Sequence, residues 1–245
     1  MVLVFVAGIW GGTINTVVGS GTLVTFPVLL GVGLPPVTAN VSNTIGLFPG
    51  SLAGAYGYRR ELRGQVTIAL RLGVAMLIGA VGGAILLLTL PPDAFEAIVP
   101  VLIVLALVLV VFGRRINERL EQTRHRRGKD ATPALFGAML FMGLYSGYFG
   151  AAAGVLTMGV FGVLLDEPLQ RQNALKNVLV GFANFVAAVI FCFTAEVNWT
   201  AAGLVAAGAI IGGVLGARIG RRLSPMVLRA VIVIIGIAAI VKLLA

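Results

Sequence analysis

The amino-acid sequence predicts an all-α polytopic membrane protein of two inverted repeats, each a broken or re-entrant helical hairpin followed by three transmembrane helices. Three observations support this fold class: the chain is poor in charge, two of its apolar segments are too long for one crossing, and its two halves are related. Of 245 residues, 59% are hydrophobic and 11% are charged, against roughly 25% charged in soluble domains. Apolar runs of ~20 residues, enough to cross a bilayer, recur along the whole chain.

Charges, prolines and glycines divide the chain into apolar segments and one strongly polar connection. The first repeat, 1–113, and the second repeat, 133–245, are separated by a polar linker at 114–132. The predicted elements are, in order, a hairpin at 1–34, helices at 37–58, 66–89 and 94–113, a second hairpin at 133–165, and helices at 170–193, 199–217 and 226–245.

The two halves match each other in sequence. A shift of 135 residues superposes them with fourteen identities over residues 8–73 and no gap. The matches include Gly19 with Gly154 and extend as far as Gly73 with Gly208. We interpret them as an internal duplication, which is typical of secondary transporters.

The basic residues distinguish two topologies, because cytoplasmic loops carry an excess of Lys and Arg. If every segment crosses once, the 18 Lys and Arg residues divide 12 to 6 between the two sides. If 1–34 and 133–165 each enter and leave on one side, 17 of them are cytoplasmic and only Lys242 is outside. The second topology is favoured, and it predicts a cytoplasmic linker at 114–132 and repeats of opposite orientation.

The break in each hairpin is predicted at a run of small residues, V-G-S-G-T at 18–22 and G-A-A-A-G-V-L-T at 150–157. Irregular backbone at membrane depth is tolerated only where it is buried in protein or lines a watery cavity. The free amides at the start of the second half-helix, with the positive end of its dipole, favour an anion. We therefore predict an anion site at the breaks, with close helix packing as the alternative role of the glycines.

Polar side chains inside apolar helices are costly and usually face a partner or a pathway. Ser20 and Thr22 either cap the half-helix or donate to a ligand, and for Asn40 and Asn173 helix capping is an equal alternative. The predicted substrate-binding residues are Gly19, Ser20, Gly21, Thr22, Asn43, Gly154, Thr157, Lys176 and Asn177. Further residues expected to line the cavity are Asn15, Asn40, Ser42, Asn173 and Asn184.

These segments resemble the sulfite exporter TauE/SafE-like permeases, also called the toluene-sulfonate uptake permease group. The resemblance rests on G-I-W-G-G at 8–12, V-G-S-G-T-L-V-T-F-P at 18–27, G-L-P-P-V-T-A-N-V-S at 33–42 and Y-G-Y-R-R at 56–60, and it recurs more weakly in the second half. It implies transport of small sulfur-containing or organic anions, such as sulfite, sulfoacetate or sulfonates, across the bacterial inner membrane.

The expected function is therefore anion transport by alternating access between the two repeats. A cation-linked transporter or channel that uses the same broken helices is the alternative. No enzymatic activity and no cofactor is expected, because the single histidine, His125, lies in the polar linker and the single cysteine, Cys192, in an apolar run. The expected partners are a small anion and the lipid bilayer rather than nucleic acid, and the sequence leaves open whether the protein forms a homo-oligomer.

Overall fold

The structure is a computed structural model that describes residues 1–124, 132–219 and 233–234. Within these residues the chain is helical and has no strand, which confirms the all-α fold class. The described helices are α1 (Val2–Val17), α2 (Thr22–Gly31), α3 (Pro36–Gly57), α4 (Val66–Thr89), α5 (Pro92–Arg124), α6 (Thr132–Tyr148), α7 (Ala153–Leu164), α8 (Leu169–Thr194) and α9 (Trp199–Ile219). The predicted helix at 226–245, apart from 233–234, lies outside the described residues.

Both overlong apolar segments are broken into two shorter helices. The first break separates α1, of 16 residues, from α2, of 10 residues. At 1.5 Å per residue these helices are ~24 and ~15 Å long, shorter than the ~30 Å hydrocarbon core. The second break, between α6 and α7, falls at 149–152. The predicted break at 150–157 is therefore wrong beyond residue 152, because α7 begins at Ala153, and both Ala153 and Leu156 are good helix formers.

The remaining helices follow the predicted order. Four of them, α4, α5 over Pro92–Phe112, α8 and α9, are long and apolar enough to cross a membrane. Helix α3 has 22 residues but carries several buried polar side chains. Helix α5 continues past residue 113 to Arg124, into the predicted linker, because a change from apolar to charged residues ends a membrane span without ending a helix.

The first helix of each hairpin packs on a helix from the other half of the chain. Helix α1 packs on α9, where Gly8 meets Val205 and Gly12 meets Ala209. Helix α6 packs on α4 in the same way, with Gly143 and Gly147 against Met76 and Ala80. Because each of these glycines has no side chain, the two backbones approach closely in both pairs.

This packing corrects one part of the repeat alignment. Gly208 lies against the backbone of Phe5, and Gly79 lies against Leu140, which corresponds to Phe5 at the offset of 135. Gly208 is therefore equivalent to Gly79 and not to Gly73. The match of Gly73 with Gly208 therefore does not join residues with corresponding contacts, and the connection before α9 is also shorter than the one before α4.

The segment between α3 and α4, the start of α8 and the end of α9 meet at one end of the helix bundle. The guanidinium of Arg171 donates to the carbonyl oxygen of Arg63 at 3.1 Å, which joins the segment before α4 to the start of α8. Tyr58, Ala174 and Ala217 form a buried cluster at the same end. This contact fits the topology in which each hairpin enters and leaves on one side, because eight single crossings place Arg63 and Arg171 on opposite sides.

Candidate functional site

The two hairpin breaks meet inside the protein. The amide of Gly154, in the first turn of α7, donates a hydrogen bond of 3.0 Å to the carbonyl oxygen of Gly19, in the first break. Gly19 has a φ of 88°, a left-handed conformation that favours glycine. A Cβ atom on either residue would collide with the backbone of the other. The site therefore requires glycine at both positions.

Lys176 of α8 lies beside this contact. Its side chain is 1% exposed, and its ammonium donates to the carbonyl oxygens of Asn15 and Thr16, both at 3.2 Å. A Cβ atom on Gly154 would lie 3.0 Å from Cδ of Lys176. The aliphatic part of the Lys176 side chain therefore lies next to the contact between Gly19 and Gly154. Within the described residues no carboxylate pairs with the ammonium. Its charge is balanced in part by the negative end of α1.

Buried carbonyls at the C-terminal ends of α1 and α6 accept hydrogen bonds from side chains of α8 and α3. The amide of Asn177 donates to the carbonyl of Thr16 at 3.2 Å, next to Lys176. The amide of Asn40 donates to the carbonyl of Tyr148 at 3.0 Å. In each half of the chain, the helix after the hairpin thus caps the hairpin of the other half.

Asn43 joins α2 to α3. Its side-chain oxygen accepts a hydrogen bond from the hydroxyl of Thr25, and its amide nitrogen donates to the hydroxyl of Thr22 at 3.3 Å. All three residues are buried. Asn43 and Thr22, both predicted to bind substrate, are thus in direct contact. Their hydrogen bond also holds α2 against α3.

The N-termini of α2 and α7 have no side-chain cap among the described residues. The expectation that Ser20 or Thr22 caps α2 is therefore wrong. The hydroxyls of Ser20 and Thr16 are buried and find no hydrogen-bond partner in the part of the chain that the structure describes. A buried hydroxyl without a partner is unfavourable. The amides of Leu23 and Val24 in α2, and of Ala153 and Gly154 in α7, donate to backbone carbonyls, so the two hydroxyls are the donors that a ligand can use.

The other predicted site residues are more dispersed. Gly21 packs closely against Gly11 and Asn15 of α1, and the hydroxyl of Thr157 donates to the carbonyl of Ala153 at 2.8 Å, within α7. The hydroxyl of Ser42 accepts a hydrogen bond from the backbone amide of Asn198 at 2.9 Å. Asn173 is buried in the first turns of α8, and Asn184 lies partly buried further along the same helix.

Two buried residues of this region were missed by the sequence prediction. Ser51 accepts a hydrogen bond of 3.1 Å from the amide of Asn15, and Thr25 binds Asn43. Both follow a predicted site residue at helical spacing, since Thr25 is three residues after Thr22 and Ser51 two turns after Asn43. That periodicity is the signal that identifies them as members of the same polar face.

The fold and the site define a polytopic α-helical membrane protein with two broken hairpins in contact at buried glycines, an arrangement typical of secondary transporters. The family described as "Sulfite exporter TauE/SafE" matches residues 4–243. The chain belongs to this family and is a membrane transporter.

Named relatives agree with this assignment. The chain is 30% identical to "Probable membrane transporter protein ORF9" of Sinorhizobium sp., covering 100% of this chain and 92% of the relative. It is 30% identical to "Probable membrane transporter protein YfcA" of Escherichia coli strain K12, covering 99% and 88%. A "Probable membrane transporter protein" of Haemophilus influenzae is 23% identical, covering 99% and 94%. No solved structure matches the chain.

Proposed function

We propose that the protein transports small sulfur-containing or organic anions, such as sulfite, sulfoacetate or sulfonates, across the bacterial inner membrane, and that it is not an enzyme. The description of its family, which names sulfite export, supports this substrate class. The observation that carries the proposal is Lys176, a basic residue that is 1% exposed and has no carboxylate partner among the described residues.

An anion resolves the electrostatic problem that Lys176 creates. A buried cation is costly unless it is paired and hydrogen-bonded, and two backbone carbonyls supply only part of the compensation. A sulfite or sulfonate group beside the ammonium supplies the missing negative charge. We expect its oxygens to accept hydrogen bonds from the hydroxyls of Ser20 and Thr16, which are buried and find no partner among the described residues.

The same contacts argue against a cation at this site. A broken helix binds Na⁺ through free carbonyls at the C-terminal end of its first half. In α1 those carbonyls, of Asn15 and Thr16, already accept hydrogen bonds from Lys176 and Asn177. A sodium ion there would have to displace an ammonium group.

We also propose that the two repeats, 1–113 and 133–245, have opposite orientations in the bilayer, with the linker 114–132 in the cytoplasm. The helix pairings support this proposal. Contacts along α1 and α9 advance in the same direction, and so do those along α6 and α4. Since α9 runs toward the end of the bundle that holds Arg63 and Arg171, and α4 runs away from it, α1 and α6 run in opposite directions.

The packing further suggests which parts move during alternating access. One buried apolar cluster is formed by α4, α6, α7 and α8, whereas α9 packs on α1 and α3. Each group therefore combines a hairpin and its following helix with one helix from the other repeat. We propose that these two mixed groups, rather than the two sequence repeats, rock against each other at the contact of Gly19 and Gly154.

The test is uptake of radiolabelled sulfite, sulfoacetate or benzenesulfonate by proteoliposomes, with sodium uptake measured in parallel. Lys176→Met keeps the length of the side chain but removes its charge, so we expect anion uptake to fall roughly 10- to 100-fold, the effect of losing a hydrogen bond to a charged group. Arg60→Met removes an exposed charge outside the site and is expected to transport normally. Size-exclusion profiles establish that both variants are folded.

Two results would overturn the proposal. The first is absence of uptake of every anion by the wild-type protein, and the second is undiminished uptake by Lys176→Met. Uptake of sodium without any anion would instead support the cation-linked alternative.

A further inference from the structure

A cavity lies away from the hairpin contact, at the end of the bundle where Arg63 and Arg171 meet. It has a volume of about 690 Å³ and lies between the start of α4, the start of α6 and the end of α7. Gly64, Thr67, Arg71, Leu135, Phe136 and Leu165 are among the residues that line it. None of the predicted substrate-binding residues lines this cavity.

Arg71 is the residue in this cavity that requires explanation. It lies on the outer face of α4, where its neighbours Leu70, Val74 and Ile78 are 58%, 51% and 55% exposed. Exposed apolar side chains of a membrane helix face lipid, so Arg71 belongs to the lipid-facing surface. Its guanidinium makes no ion pair or hydrogen bond to any described residue. An arginine at such a position is costly unless it reaches the interface or an anion.

The geometry of α4 allows this arginine to reach the membrane interface. Arg71 is five residues from the first residue of α4, Val66, which corresponds to ~7.5 Å along the helix axis. Side chains on a helix tilt toward its N-terminus, which for α4 is the end that carries the basic connections. The guanidinium can therefore extend to the depth of the lipid phosphates.

The charge of the cavity favours an anion. Its acidic residue, Glu167, is paired with Arg171 at 3.0 Å. The positive charge of Arg71 in this cavity is therefore not balanced by any described side chain. The remaining wall is largely apolar and includes Leu72, Leu135 and Leu164.

The exposure of the residues that line the cavity indicates whether the anion is a lipid headgroup or a free ion. Val74 and Phe136 line the cavity and are 51% and 39% exposed on the outer surface of the bundle, so the cavity opens toward the bilayer. A phosphate group attached to acyl chains fits both the charge of Arg71 and the apolar wall, whereas a free anion leaves that wall in contact with water.

We propose that this cavity binds an anionic phospholipid, whose phosphate is held by Arg71 and whose upper acyl chain lies against α4 and α6. Basic pockets between membrane helices at the cytoplasmic side are suited to such headgroups. This site is separate from the anion site at the hairpin breaks, and the proposal does not depend on the transported substrate.

The experiment is a lipid titration of the purified full-length protein, followed by native mass spectrometry. We expect phosphatidylglycerol to bind about fivefold more tightly than phosphatidylcholine, the contribution of one interfacial arginine. Arg71→Gln is expected to abolish this preference, and Arg60→Gln, a matched change outside the cavity, to retain it. Thr67→Trp keeps every charge but narrows the cavity, and it is expected to abolish the preference as well.

Each outcome bears on the proposal. Loss of the preference in Arg71→Gln and Thr67→Trp, but not in Arg60→Gln, supports a lipid site. An unchanged preference in Arg71→Gln contradicts it. If glycerol 3-phosphate displaces phosphatidylglycerol at equal concentration, the cavity binds a free anion and the lipid assignment is wrong.

Discussion

The carbonyl oxygen of Gly19 accepts a hydrogen bond from the amide of Gly154 at 3.0 Å. These two glycines match each other when the halves of the chain are aligned at an offset of 135 residues. Their contact joins the first break to the start of α7, and a Cβ atom on either glycine would collide with the backbone of the other.

Replacement of Gly154 by alanine should disrupt the hairpin contact. The added Cβ atom would collide with the backbone of Gly19, which cannot move away as a flexible side chain can. We expect Gly154→Ala to lower the free energy of unfolding by about 1–3 kcal/mol, measured by thermal unfolding in detergent. At Gly203 an added Cβ meets no described atom within 4 Å, so Gly203→Ala should be neutral or slightly stabilising. Equal stability of the two variants would show that the breaks do not touch.

Removal of the Asn40 side chain should destabilise the second break. Its amide donates to the carbonyl of Tyr148, the last residue of α6, and without it this buried carbonyl loses its donor. We expect Asn40→Ala to cost about 1–3 kcal/mol, again measured by thermal unfolding. Asn184 is partly buried and has no hydrogen bond to a described residue, so Asn184→Ala is the matched control. The role assigned to Asn40 is wrong if both variants unfold at the same temperature.

Labelling of single cysteines should establish the topology. Cys192 is the only cysteine, so Cys192→Ser gives a background in which one exposed position at a time is changed to cysteine. We expect Arg63→Cys and Gln170→Cys to react with a membrane-impermeant maleimide from the cytoplasmic side, because Arg63 contacts the start of α8. Asp93→Cys and Glu196→Cys should react from the opposite side. If Arg63→Cys and Gln170→Cys are labelled from different sides, the proposed topology is wrong and each apolar segment crosses the membrane once.

Several features of this protein depend on local sequence and were therefore predictable from it. Scarcity of charge requires a membrane environment, because a helix without polar residues cannot face water on every side. A segment of 34 apolar residues exceeds one crossing, and glycines at 18–22 locate its break. Helix α4 was predicted with the observed bounds, 66–89, because charges or prolines flank it on both sides.

Other features depend on residues that are distant in the chain, and only the tertiary structure decides them. Lys176 binds the carbonyl of Asn15, 161 residues away, and α1 packs most extensively on α9, a helix from the other half of the chain. Apolar periodicity shows which face of a helix is buried but does not specify its partner, since every apolar face is compatible with every other and with lipid. Local sequence is therefore sufficient to predict a membrane protein with two broken hairpins. The fold decided that their glycines meet beside a buried lysine, because backbone contact and hydrogen-bond geometry, unlike hydrophobicity, are specific to a pair of residues.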